Sequence, residues 1–264
     1  MKKHLIGIFA GAAFAFAAGA ATAQDEVVRI GTEGAYLSFN YIDSDGNLAG
    51  FDIEIANALC DAAGFQCEFV VQDWDGIIPG LLARRYDAII ASMSITEERK
   101  QVVDFTDKYY ATPAKFVKAK DRDLEIPEGI EAANEALAGM TIGVQRATIH
   151  ENFLRDNFPN LDIRVYASQD EANLDLANGR LDLVMADSVV LLEGFLGIPE
   201  GEDFEFVGPD YFKEDWHGEG IGIAVRKGED DLRQAFNEAI RKIREEGIYQ
   251  EINAKYFEFD VYGR

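Results

Sequence analysis

The stretch Tyr86-Asp87-Ala88-Ile89-Ile90-Ala91-Ser92-Met93-Ser94-Ile95-Thr96-Glu97-Glu98-Arg99 constrains the fold of this chain more than any other. Ala88-Ile89-Ile90 is a short apolar run, long enough for a strand buried on both faces. It gives way to the small polar residues Ser92 and Ser94, and Thr96-Glu97-Glu98-Arg99 then reads as the capped start of a helix. Such a join brings hydroxyls, free backbone N–H groups and the guanidinium of Arg99 to one point, a combination suited to a small anion such as a carboxylate. An ordinary strand–turn–helix with a surface arginine has the same residues, so the flanking chain must decide.

The flanks alternate strand and helix twice. Strands over 27–30, 69–71 and 88–90 are separated by helical patterns over 51–63, with apolar residues at Phe51, Ile55, Ala58, Leu59 and Ala62, and over 74–83. A second series starts at Thr141-Ile142-Gly143-Val144. It continues through a helix capped by Thr148, strands over 163–165 and 181–185, helices over 169–177 and 188–196, and a strand over 204–207. A strand over 221–225 and helices over 232–245 and 249–256 close the chain. Short joints between such units imply parallel sheets covered on both faces. The halves also echo: Arg85-Tyr86-Asp87-Ala88 and Arg180-Leu181-Asp182-Leu183 each stand between a helix and a buried strand. The expectation is an α/β protein of two lobes, 24–112 with 213–264 and 113–212, joined by strand-like hinges near 111–115 and 210–220. Residues 121–137, charged and broken by Pro and Gly, read as an external excursion. Strand ends of both lobes would face one cleft, where ligands of open α/β sheets bind.

Residues 1–23 read as an export leader: Lys2 and Lys3 are a basic start, 5–18 is apolar, and Ala21-Thr22-Ala23 offers small residues before a cut. The apolar run is too short for a membrane span and none like it recurs. Without it the chain carries 23 basic and 48 acidic residues, a balance of −25. That field repels nucleic acid and anionic membranes, so a nucleic-acid partner is excluded. Cys60 and Cys67 are the only cysteines. In an oxidising compartment they are expected to pair, and no histidine or carboxylate companions at metal-site spacing accompany them. Neither a metal nor a cofactor is expected.

Several runs together carry a resemblance: Arg29-Ile30-Gly31-Thr32, Gly50-Phe51-Asp52-Ile53, Tyr86-Asp87-Ala88-Ile89, Ser94-Ile95-Thr96-Glu97 with Arg99, Asp104-Phe105-Thr106-Asp107, Glu193-Gly194-Phe195 and Lys255-Tyr256-Phe257-Glu258-Phe259-Asp260-Val261-Tyr262-Gly263. With the Cys60…Cys67 pair, they resemble the periplasmic amino-acid-binding proteins of ABC importers, most of all those for lysine/arginine/ornithine and histidine. The resemblance covers the whole chain after the leader, the main departure being a longer excursion around 123–138. It implies the two-lobed periplasmic-binding-protein fold, each lobe a mostly parallel sheet flanked by helices. It also implies a non-catalytic periplasmic monomer that delivers an amino acid to the membrane permease of an ABC transporter.

The same resemblance implies roles for single residues. Arg99 would pair with the ligand α-carboxylate, helped by Ser92, Ser94 and the helix start at Thr148 and Ile149. Asp187 would hold the α-ammonium, Tyr36 and Trp74 would stack on the side chain, and Glu33 would meet a distal positive charge. Ala91 stands where the close relatives carry Ser, Gln145 where they carry Leu, and Trp74 where they carry Phe. Glu33, Trp74 and Ala91 also resemble the octopine- and nopaline-binding proteins. The expected ligand is therefore arginine, lysine, ornithine or histidine, with an opine as the alternative. A cyclohexadienyl/arogenate dehydratase-like enzyme is a further alternative, but it needs an acid and a base in the cleft. His4 lies in the leader, His150 on a helix and His217 near the second hinge, so histidine is not expected to serve it. From residue type alone Tyr36 and Trp74 also fit a core, and Glu33 a solvated loop. Asp187 ends an apolar strand, where an unpaired acid is costly and points to a partner.

Overall fold

The computed structural model describes residues 26–263; the leader read over 1–23 lies outside them. Two five-stranded sheets carry the fold, and they are wired alike. The first runs in the order Phe65–Val71, Glu26–Thr32, Ala88–Ile89, Ile221–Arg226, Val103–Tyr110. The second runs Asp162–Tyr166, Thr141–Gln145, Leu183–Asp187, Ala114–Ala119, Phe204–Tyr211. In each, the first three neighbours pair in parallel and the fourth strand is antiparallel to both of its neighbours. Four strands of each five thus point one way. The reversed strand is the one the chain enters by crossing from the other sheet, at 111–113 and again at 212–220.

Burial confirms sheets covered on both faces. Ala88 and Ile90 enter one core with Ile30, Phe51 and Phe236, whereas Ile89 enters another with Ile77, Leu81 and Tyr86. Leu183 and Met185 likewise oppose Val184 and Ala186 in the second sheet. Period-two burial of an all-apolar run is what a doubly covered strand requires.

The echo between the halves has a physical basis. The N–H of Asp87 donates to the carbonyl of Arg29 at 2.8 Å, and its carboxylate accepts from the Arg29 N–H at 3.1 Å. Asp182 does the same to Thr141, at 2.9 and 2.8 Å. The residue just before each aspartate lies over a glycine of that neighbouring strand. A Cβ on Gly31 would sit 2.5 Å from the Tyr86 ring, and one on Gly143 would sit 2.5 Å from the Leu181 side chain. The repeated Asp staples the strand start and the preceding bulky residue fills the space its glycine leaves.

Four elements differ from the sequence expectation. The strand Val103–Tyr110 went unread because Asp104, Asp107 and Lys108 break its apolar alternation; it is an edge strand, where such side chains reach water. The helix over 74–83 is a 3-10 turn at Trp74–Gly76 followed by Ile77–Leu82. The helix over 188–196 turns from α to π at Leu192–Leu196. The excursion does not stand apart, since Ile126, Ala133 and Leu137 are buried in the second core and its helix Ile130–Ala136 lies against it. Cys60 and Cys67 are joined, tying the helix Phe51–Ala63 to the strand Phe65–Val71.

Gly31→Ala and Gly143→Ala should each lower unfolding free energy by about 1–3 kcal/mol, the usual cost of overpacking. Urea unfolding of the two variants checks this, and midpoints equal to the parent's would contradict the close approach described.

Candidate ligand-binding cleft

The carboxyl ends of the parallel strands meet across a cleft. Thr32 leads into Glu33 and Ile89 into 91–94 on one side, while Gln145 and Asp187 end strands on the other. Glu33, Tyr36, Trp74, Ala91, Ser92, Ser94, Arg99, Gln145, Thr148 and Ile149 line one cavity. A second shares Tyr36, Ser92, Ser94 and Ile149 with it and adds Thr112 and Asp187. Ten of the site residues singled out from sequence line the first cavity, and Asp187 lines the adjoining one.

Three of them are charged, and none has a partner of opposite sign within ion-pair distance among the described residues. Arg99 donates Nη1 to the Ser94 carbonyl at 3.0 Å, and its guanidinium carbon lies 5.3 Å from the centre of the Trp74 ring. Burial lowers its pKa to about 10, against a weaker upward pull from Glu98, so it remains a cation at neutral pH. Asp187, 7% exposed, caps the helix Ser188–Leu191 and accepts from the Val189 and Val190 N–H groups at 2.9 and 3.4 Å and from the Thr112 hydroxyl. Burial still pushes it up to about 6, outweighing those donors. Glu33, 8% exposed, accepts from Gln145 Nε2 at 2.5 Å. Burial pushes it up to about 7; the Gln145 bond opposes this, and Asp170, Asp73 and Asp75 add to it. A guest with one anionic and two cationic groups would leave none of the three unpaired.

The hydroxyls are committed elsewhere. Ser92 donates to the buried Asp52 at 2.9 Å. Thr148 donates to the Gln145 carbonyl at 2.7 Å and accepts from the Glu151 N–H at 3.2 Å, capping the helix Ile149–Asn157 whose first residues face the cavity. Backbone donors, not these two hydroxyls, are what the site offers an anion.

Polar contacts also bridge the cleft. Trp74 Nε1 donates to the Ala147 carbonyl at 3.1 Å, Gln145 reaches Glu33, Arg146 pairs with Asp75 at 2.8 Å, and Asn152 donates to Glu98 at 3.2 Å. The two sides are closed on each other. Trp74 is thus both a wall of the cavity and a strut across it.

Sequence reasoning set His150 and His217 aside, yet both stand at the cleft wall, their ring centroids 6.2 Å apart. Burial lowers them to about 3 and about 4, the first also by His217 and Arg99, so both are neutral at pH 7. Their approach joins a helix of one half to the second crossing, which no local spacing reveals. Thr112, on the first crossing, was missed for the same reason.

The family of bacterial extracellular solute-binding proteins, family 3, matches residues 28–259. The chain belongs to that family. This solute-binding protein is 47% identical to the L-arginine-binding protein of Pseudomonas aeruginosa over 91% of this chain and 92% of that one. It is 40% identical to the histidine-binding periplasmic protein of Escherichia coli over 100% of both. Among solved structures, an ancestral arginine-binding protein bound to arginine matches with a TM-score of 0.79 at 34% identity, covering 88% of this chain and 98% of that one. No helix of the solute-binding protein is long and apolar enough to cross a membrane among the described residues.

In the empty protein, a carboxyl held at about 7 costs stability once it ionises, so the cost is complete above pH 7 and fades as pH falls toward the unfolded value. Glu33→Gln should therefore stabilise the empty protein by roughly 1–3 kcal/mol at pH 8, with most of the difference gone by pH 5. Calorimetric melting across that range checks it; a difference that does not change with pH would contradict it.

Proposed function

We propose that the protein is the non-catalytic receptor of an ABC importer, a periplasmic monomer that closes over a cationic L-amino acid and hands it to the membrane permease. The charge pattern of the cleft carries this reading: one half-buried guanidinium and two buried carboxylates, none with an opposite charge within ion-pair distance among the described residues. An amino acid ending in a cation has the complementary pattern. Arg99 takes the α-carboxylate with Ser94 and the N–H groups at the start of the helix Ile149–Asn157. Asp187 takes the α-ammonium, and Glu33, oriented by Gln145, takes the distal cation. Tyr36 and Trp74 flank the stem, and Ala91 leaves room beside it. Arginine is the favoured ligand, because its planar fork matches a fixed carboxylate and because the chain is 47% identical to an L-arginine-binding protein. The lobes are 24–112 with 213–264 and 113–212, turning about the two crossings.

A micromolar complex corresponds to about −8 kcal/mol, while each cation–π contact supplies roughly 0.5–2 kcal/mol, so the ion pairs carry most of the affinity. A second reading, an opine, draws support from the adjoining cavity beside Asp187, which lies on the side of the site where a substituent on the α-nitrogen would extend.

Titration calorimetry tests the assignment. Arg99→Ala should abolish arginine binding while the empty protein melts within a few degrees of the parent; retained affinity would refute the role of Arg99. The bound cations favour ionised Glu33 and Asp187, so binding expels protons below pH 7. The arginine affinity of the parent should fall at least tenfold between pH 8 and pH 5. A flat pH profile would remove those carboxylates from the ligand contacts.

A further inference from the structure

We infer that Asp52, outside both cavities, is the positioning residue of the cleft: through Ser92 and Asn40 it holds the two loops of the first lobe that face the ligand. The inference rests on the binding role proposed above. Asp52 is completely buried in the first turn of the helix Phe51–Ala63, where the helix N-terminus favours a negative charge. Oδ1 accepts from the Tyr109 hydroxyl at 2.7 Å, and Oδ2 accepts from Asn40 Nδ2 at 2.8 Å and from the Ser92 hydroxyl at 2.9 Å. Burial raises the pKa of this carboxyl, and the three hydrogen bonds oppose that shift. A buried acid is an expensive way to fill space, and an apolar side chain would do so at lower cost.

Both cleft loops hang on that acceptor. Ser92 has φ 54°, the left-handed region that a residue with a Cβ avoids, and its hydroxyl bond to Asp52 holds it there between Ala91 and Ser94 of the cavity wall. The Gly34 N–H donates to the Asn40 oxygen at 3.0 Å, which leaves the Asn40 amide nitrogen for Asp52 and ties the turn between Glu33 and Tyr36 to it. A leucine at 52 would leave Asn40 and Ser92 without their shared acceptor; an asparagine would not, because its one oxygen can take both bonds while its amide turns to the Tyr109 hydroxyl. Asp52 thus orders the carboxylate end and the distal end of the site without touching the ligand.

Arginine titration calorimetry, at a temperature where circular dichroism shows each variant folded, decides the matter. Asp52→Leu, which removes the shared acceptor, should weaken arginine about 10- to 100-fold and Ser92→Ala about tenfold. The double variant should lose no more than about threefold beyond Asp52→Leu, because both changes remove one bond. An Asp52 that serves only stability would give folded Asp52→Leu protein with parental affinity. That result overturns the inference, as would losses that multiply in the double variant. If Asp52→Leu does not fold, Ser92→Ala with parental affinity overturns it equally. A parent that binds neither arginine nor lysine would instead refute the proposed function, and this inference with it.

Discussion

Asp187 and Glu33 are withdrawn from water and Arg99 half so, none with an opposite charge within ion-pair distance among the described residues, and the rest of the structure can be understood as the means of keeping them so. Isolated charges in a low-dielectric space are unfavourable, and a folded chain removes them unless a guest completes them. Partial relief comes from dipoles: helix-start N–H groups and Thr112 at Asp187, the Gln145 amide at Glu33, the Ser94 carbonyl and the Trp74 ring at Arg99. These orient each charge without neutralising it. The site is thereby set for a ligand and poor at holding nothing.

Two copies of one wiring make such a site possible. Each sheet delivers its parallel strand ends to the same side, and each borrows its reversed strand from a chain crossing. Arg99 and Glu33 on one wall and Asp187 on the other are then linked through two chain crossings. Asp187 is bonded to Thr112 on the first of them, and His217 on the second packs 5.0 Å from the ring of Phe153 in the other half. Two of the contacts across the mouth, Arg146 with Asp75 and Asn152 with Glu98, are exposed, and such an ion pair is worth only about 0–1 kcal/mol.

Much of this was legible before any coordinates. Ala88-Ile89-Ile90 ending in Ser92 and Ser94 marks a buried strand opening on a polar loop, and that loop lines the cavity. The echo at Asp87 and Asp182 proved to be a shared strand staple. What escaped notice depends on partners distant in sequence. Val103–Tyr110 is an edge strand whose charged residues hide its period. His150 meets His217 only through tertiary folding. Ser92 was read as a ligand donor, but its hydroxyl serves Asp52, a partner 40 positions away. Asp52 itself stood in a recognised motif, and only the geometry gives it a task.

In the proposed complex Glu33 selects a distal positive charge while Arg99 and Asp187 hold the backbone end of the same molecule. Calorimetric comparison of arginine with citrulline, its uncharged counterpart of nearly the same shape, isolates that charge. The account predicts that citrulline binds at least about 100-fold more weakly at pH 8, the loss expected when a buried carboxylate is left without its cation. Equal affinities for the two would contradict it.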